Sequence, residues 1–278
     1  MKDRVTFFAK TETVCPVCEG KFYKEELLTG RGRLIAGDLT DELRRNYEPS
    51  QKYGEVFPLN YTMVVCPDCL TSLFSADYDQ IPPQALAALQ DRAEQRVSSV
   101  EALFRDLDFR SPRTLKEGAA SYVLGIMSYD TFPRNASPTI KQGLCSLRAA
   151  WLTGDLHRKY PQDNWDYLTR LFYRKASYFY TEAVIREGDG QESIAEVMNL
   201  GPDLDKNYGY DGVLYLSALL EYEYGAREDE DFRRASLETA KRTVARIFGM
   251  GKASKDKPSA MLDRAKDLFA KMGEELGS

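Results

Sequence analysis

Cys15-Pro16-Val17-Cys18 and Cys66-Pro67-Asp68-Cys69 decide how the rest of this sequence reads. Two residues between cysteines let a tight turn aim both sulfurs at one ion, and the proline after the first cysteine fixes φ for that turn. Two such turns supply four thiolates, a donor set that suits zinc, which takes four ligands in a tetrahedron. Four protein ligands leave no open coordination position. Cys15, Cys18, Cys66 and Cys69 are therefore expected to hold a structural rather than a catalytic zinc ion. Two disulfides or four free thiols are the competing readings. Met1-Lys2-Asp3-Arg4 leads into only a short apolar run, Val5 to Ala9, which does not make a secretory signal. A cytoplasmic location is expected, and there the thiols stay reduced. A thioredoxin-like redox pair would be one CxxC beside a βαβ pattern, which is absent.

Between the knuckles, Tyr61-Thr62-Met63-Val64-Val65 is β-branched and apolar and predicts a strand. Thr6 to Lys10 predicts another, and Asp41 to Asn46 reads as a short helical turn or loop. The order CPxC, then Gly32-Arg33-Leu34-Ile35-Ala36-Gly37-Asp38-Leu39, then Tyr47 with Pro49, then Asn60 through the second knuckle, then a helical tail, resembles a bacterial family known as domain of unknown function 2225. In that family Gly-Tyr often follows the second knuckle; here Leu70-Thr71 stands there. The resemblance implies a zinc-ribbon-like part and a tetratricopeptide-like part. It implies no activity.

The chain has 278 residues, enough for one large domain or two modest ones, and a net charge of −5, which gives no overall attraction to nucleic acid or anionic membranes. No apolar run is long enough to span a bilayer. The one histidine, His157, lies at a polar helix end, where a cation suits the helix dipole. Hydrolytic triads and catalytic zinc sites mostly need histidine, so an enzyme is not expected. The fifth cysteine, Cys145, reads as a buried thiol. Twelve positions along one helix would hold it about 18 Å from His157.

Beyond Ile81-Pro82-Pro83 the pattern is helical. Apolar residues recur from Leu86 to Leu107 as one long amphipathic helix. Thr114 to Glu117 forms a capping box for a helix running to Tyr129, and Ser137-Pro138 opens a helix that buries Ile140, Leu144, Leu147 and Trp151. A fourth buries Trp165, Leu168, Phe172, Ala176, Phe179 and Ala183. After an irregular stretch from Asp189 to Asp211, which holds a short helix over Ile194 to Asn199, three more follow: one from Val213, one capped by Asp231, one started by Pro258. The expected architecture is mainly α, with a zinc-ribbon-like module of short strands over residues 1–78 and a tetratricopeptide-like helical array over 79–278. An irregular helical bundle is the alternative.

Tyrosine and tryptophan crowd more than one face of the fourth and fifth long helices. Trp165, Tyr173, Tyr180, Tyr210 and Tyr215 are the candidate residues of a groove for a protein partner, with core packing as the bland alternative. Arg233 to Lys257 is a basic stretch that reads as a solvated face or an anionic-partner surface. Asp203-Leu204-Asp205 opens like a calcium loop but lacks the glycine and glutamate such a loop needs. The function expected is a non-enzymatic protein-interaction adaptor. The alternatives are a nucleic-acid-binding module using Arg31, Arg33, Arg44 and Arg45, and an enzyme using carboxylates among Asp38, Asp41 and Glu42.

Overall fold

A computed structural model describes residues 4–197, 199–204, 206–249 and 259–277. Among them the strands of the first part form short antiparallel pairs, and a 3-10 turn, Pro58–Tyr61, precedes the last of them. β1 (Thr6–Phe8) pairs with β4 (Glu25–Leu27) around an inner hairpin of β2 (Thr13–Val14) and β3 (Lys21–Phe22). β5 (Ile35–Leu39) pairs with β6 (Arg45–Glu48) through a register shift between Ala36 and Leu39, and β7 (Met63–Val65) pairs with β8 (Ser72–Phe74). The strands expected near Thr6 and Met63 are present. The stretch read as a short helical turn or loop, Asp41 to Asn46, carries the turn at the tip of the β5–β6 hairpin and the first residues of β6.

Helices follow: α1 (Ser75–Tyr78), α2 (Pro83–Asp91), α3 (Ala93–Leu103), α4 (Leu115–Tyr129), α5 (Pro138–Lys159), α6 (Trp165–Gly188), α7 (Gly209–Tyr224), α8 (Glu230–Gly249) and α9 (Ser259–Leu276). The chain is mainly helical. From α4 onward each helix packs against the next in sequence. The Thr114 hydroxyl accepts from the Lys116 amide at 3.2 Å, and the Glu117 carboxylate accepts from the Thr114 amide at 3.0 Å, so the capping box starts α4 as its sequence requires. The single helix expected from Leu86 to Leu107 is broken at Arg92 into α2 and α3. The short helix expected over Ile194 to Asn199 is one 3-10 turn, Ile194–Glu196.

The change from strands to helices falls between Phe74 and Ser75, and the core passes across it. One buried hydrophobic cluster includes Phe22, Leu43, Met63 and Leu73 together with Leu124, Leu144, Tyr180 and Leu216. Two glycines of α4 allow this close approach. A Cβ on Gly118 would meet the Asn60 side-chain oxygen at 2.2 Å, and one on Gly125 would meet Met63 Cε at 2.7 Å and Cys145 Sγ at 2.9 Å. At Gly125 the β7 strand and α5 therefore both close on α4 at one point.

Candidate metal centre

Each knuckle is the turn of a hairpin. Cys15 to Cys18 joins β2 to β3, and Cys66 to Cys69 joins β7 to β8. The two turns repeat the same backbone pattern. The Cys15 amide donates to the Gly20 carbonyl at 2.8 Å and the Glu19 amide to the Cys15 carbonyl at 2.9 Å. In the second turn the Cys66 amide donates to Thr71 and the Leu70 amide to Cys66, both at 3.0 Å. Glu19 and Leu70, which follow the last cysteine of each turn, both take left-handed backbone conformations, at φ 62° and 54°. Leucine at a position that favours glycine is where this chain departs from the Gly-Tyr expected there.

This repeated geometry brings all four sulfurs within 4.8 Å of one another. Cys15 Sγ lies 3.7 Å from Cys69 Sγ, and Cys18 Sγ lies 3.6 Å from Cys66 Sγ. A tetrahedral centre with metal–sulfur bonds of about 2.3 Å has sulfur–sulfur edges of about 3.8 Å. The four cysteines thus fit a metal site, and the separations are far too long for disulfide bonds. Cys15, Cys66 and Cys69 are buried, while Cys18 is exposed. Burial pushes the Cys18 thiol up to about 11. Sulfur contacts from Cys15 and Cys66 hold Cys69 far below the ordinary thiol range. Contacts with Cys15 and Cys69, then burial, hold Cys66 far above it. Four sulfurs this close repel one another once charged, and a cation between them removes that conflict. The Tyr78 hydroxyl is buried without a hydrogen-bond partner. Burial and then the Cys15 sulfur raise its pKa.

The surrounding shell comes from the helices. Gln90 Nε2 of α2 donates to the Val17 carbonyl at 2.9 Å, inside the first knuckle. Arg96 of α3 donates to the Cys69 carbonyl at the end of the second. The break at Arg92 aims one helix at each knuckle. Arg110 pairs with Asp68 at 2.5 Å on the outer side.

The aromatic candidates do not form one surface. Tyr180 and Tyr215 are buried core residues. Tyr180 packs toward Gly143 of α5, where an added Cβ would lie 3.0 Å from its ring. This corrects their assignment to a partner groove. Tyr180, rather than the Phe179 expected on the inward stripe, is buried with Ala176 and Ala183, and these three are 1% exposed or less. Tyr173 and Tyr215 are taken by the chain itself: the Tyr173 hydroxyl donates to Glu42 at 2.9 Å, and the Tyr215 hydroxyl to the Asp41 carbonyl at 2.8 Å. Trp165 is half-buried, its ring 5.5 Å from that of Phe104. Tyr210, also half-buried, accepts from Arg246 at 3.3 Å.

Those contacts reveal a docking that sequence reasoning missed. The tip of the β5–β6 hairpin inserts among α5, α6, α7 and α9. Glu42 accepts from Trp151 Nε1, from Tyr173 and, at 3.0 Å, from the Tyr224 hydroxyl. Burial lifts its carboxyl above the usual carboxylate range despite these three donors. Arg44 donates to both oxygens of Asp155, and Arg264 donates to the Leu39 carbonyl at 2.8 Å. A cavity of about 680 Å³ remains beside the tip, lined in part by Glu42, Arg44, Tyr173 and Tyr224. Two of the four arginines proposed for nucleic acid are spent here: Arg44 on Asp155, and Arg45 on the Gly37 carbonyl, with its amide on Asp203. That also accounts for buried Asp203, a position of the calcium-like loop; Asp205 lies outside the described residues.

Cys145 is fully buried and its thiol is pushed up to about 12 by burial, as a core thiol. It shares α5 with His157, so the two stay apart. In the basic stretch, Arg233 is buried against Glu275 and the carbonyls of Glu221 and Tyr222. Lys252, Lys255 and Lys257 lie outside the described residues. No helix among the described residues is long and apolar enough to cross a membrane.

A different surface is open. α6, α7 and α8 border a groove of about 560 Å³, lined in part by small residues of α8 such as Ala235, Ser236 and Thr239. Tyr178 and Phe232 line it and are 61% and 57% exposed.

Residues 8–272 match a family model described as "Uncharacterized protein conserved in bacteria (DUF2225)". A protein of Borreliella burgdorferi, described as an uncharacterized protein, is 43% identical over 274 residues, covering 98% of each chain. No solved structure matches this chain.

Proposed function

We propose, from the premise that this chain belongs to the bacterial family DUF2225, that it is a non-enzymatic adaptor whose helices dock another protein. In this reading a structural zinc ion sits among Cys15, Cys18, Cys66 and Cys69 and fixes the two knuckle hairpins against the helices. Zinc is favoured because soft thiolates select it and because four of them close its tetrahedral shell. A closed shell offers no position for a substrate or an activated water. The hairpins then form a zinc-ribbon-like part, and the pairs α5–α6 and α7–α8 act as tetratricopeptide-like units.

The observation that carries the docking role is the groove between α6 and α8. It is mostly apolar, and its lining combines small residues with two large exposed aromatic side chains. Contiguous exposed apolar patches rimmed by polar residues mark interaction sites. Small residues admit close approach, and Tyr178 and Phe232 supply contact area, as a helix-in-groove mode requires. The test is site-specific photocrosslinking in the cell of origin. A benzoylphenylalanine at Phe232 and one at Tyr178 should each capture the same protein, and one at exposed Tyr160, away from the groove, should not. No capture from either groove position, or the same capture from Tyr160, counts against the reading.

A further inference from the structure

Behind the second knuckle lies a buried charge. Arg96 is only 2% exposed. Its Nε and Nη2 donate to the Cys69 carbonyl at 3.2 and 2.9 Å. Nη2 also reaches the Thr71 hydroxyl and the Leu89 carbonyl, both at 3.1 Å, and Nη1 donates to Leu89 at 3.2 Å. Every acceptor is neutral, and none of the ion pairs among the described residues involves Arg96. Of the other buried arginines, Arg233 meets Glu275, while Arg113 and Arg148 likewise donate their side chains to backbone carbonyls. Burying a guanidinium without an opposite charge is strongly unfavourable.

The opposite charge is close by, in sulfur rather than carboxylate. Thr71 Oγ1, which accepts from Arg96, lies 3.2 Å from Cys69 Sγ. Cysteines ligate metals as thiolates, so four of them around a divalent ion leave two negative charges in excess. In a poorly solvated surrounding that excess calls for a cation.

We propose that Arg96 is the built-in counter-cation of the loaded four-thiolate centre, a positioning residue that couples metal loading to the seating of α2 and α3 over the knuckles. The inference rests on the zinc reading above. Gln90 holds the first knuckle and Arg96 the end of the second, so this helix pair spans the centre. Arg96 touches the backbone and the Thr71 hydroxyl, and it acts on the sulfurs through them and through its charge. Partners of this kind typically alter metal affinity by about 10–100-fold when removed.

The experiment uses the full chain as wild type, Arg96→Met and Arg96→Lys. Zinc affinity is read by competition with a chromophoric chelator, and the centre by the thiolate-to-cobalt absorption of cobalt-substituted protein. Arg96→Met keeps the length and loses the charge; it should weaken zinc by about 10–100-fold and shift the cobalt band. Arg96→Lys should restore most of both. Arg96→Met holding zinc as tightly as wild type, or Arg96→Lys losing as much as Arg96→Met, overturns the proposal while leaving the zinc reading intact. Wild type that takes up no zinc overturns both. If Arg96→Met does not fold, hydrogen exchange of wild type decides. On chelation the amides of α3 should lose protection while those of α5 keep it, and unchanged protection in α3 overturns the proposal.

Discussion

Arg44 and Asp155 form a two-point ion pair across 111 positions: Nη1 and Nη2 reach Oδ1 and Oδ2 at 3.2 and 2.6 Å. Asp155 is 2% exposed on its side chain and Arg44 14%. The pair pins the β5–β6 hairpin to α5. Truncating one partner strands the other charge in a poorly solvated place. Asp155→Ala should therefore destabilise the fold by about 3–5 kcal/mol, read from urea midpoints. A loss below about 1 kcal/mol, the range of exposed pairs, would show that the hairpin is not held this way.

Glu42 gives the hairpin a pH dependence. Its folded pKa is raised, first by burial. A carboxyl raised in this manner favours folding fully below its unfolded pKa, about 4.3, and that contribution is lost as pH rises through the folded value. Glu42→Gln keeps the shape and cannot ionise, and the Tyr224 hydroxyl can turn to accept from the new amide. Relative to wild type, Glu42→Gln should gain stability as pH rises from 4 to 7. Parallel stability profiles for the two proteins would refute the assignment.

Of the four knuckle cysteines only Cys18 is exposed. With metal bound, alkylation by iodoacetamide should be slow. After chelation, mass spectrometry should find exposed Cys18 labelled ahead of Cys145, which lies in the helical core against α4. Equal labelling rates with and without chelator would remove the metal from the account.

The two glycines of α4 should differ in cost. At Gly118 a methyl group meets Asn60, including its Cα at 3.1 Å, so the backbone turn Pro58–Tyr61 must move. At Gly125 the nearest obstacle is the end of the Met63 side chain, which can swing away. Gly118→Ala should cost about 1–3 kcal/mol and Gly125→Ala less, as judged by thermal or urea unfolding. The reverse order would mean that the strand side of α4 is more pliant than its packing indicates.

The metal cluster and most helix limits were legible because they rest on local rules. CPxC makes the same turn twice, and Thr114 with Glu117 makes a cap, whatever lies elsewhere. The hairpin tip was not legible. Asp41-Glu42-Leu43-Arg44 has ordinary helix formers, and its conformation is set by partners on α5, α6, α7 and α9. The break at Arg92 escaped for the same reason, since the apolar stripe runs on through it while Gln90 and Arg96 turn toward different knuckles. Tyr180 was misassigned because aromatic crowding alone does not say which face is inward. The stripe through Ala176 and Ala183 passes through Tyr180, its neighbour Phe179 being only partly buried.

Docking the hairpin tip also sets an order in time. Glu42 must wait for Tyr224, 182 positions later, before its carboxylate has all three donors. At the usual pace of synthesis, about 5–20 residues per second, roughly 10–40 s separate the two on the ribosome. The knuckle hairpins and α4 can assemble in that interval, but Leu43 and its neighbours must remain unseated. The nascent chain thus carries an apolar, carboxylate-tipped loop that only its own late helices can cover, and a truncated product would keep it open to whatever else is in reach.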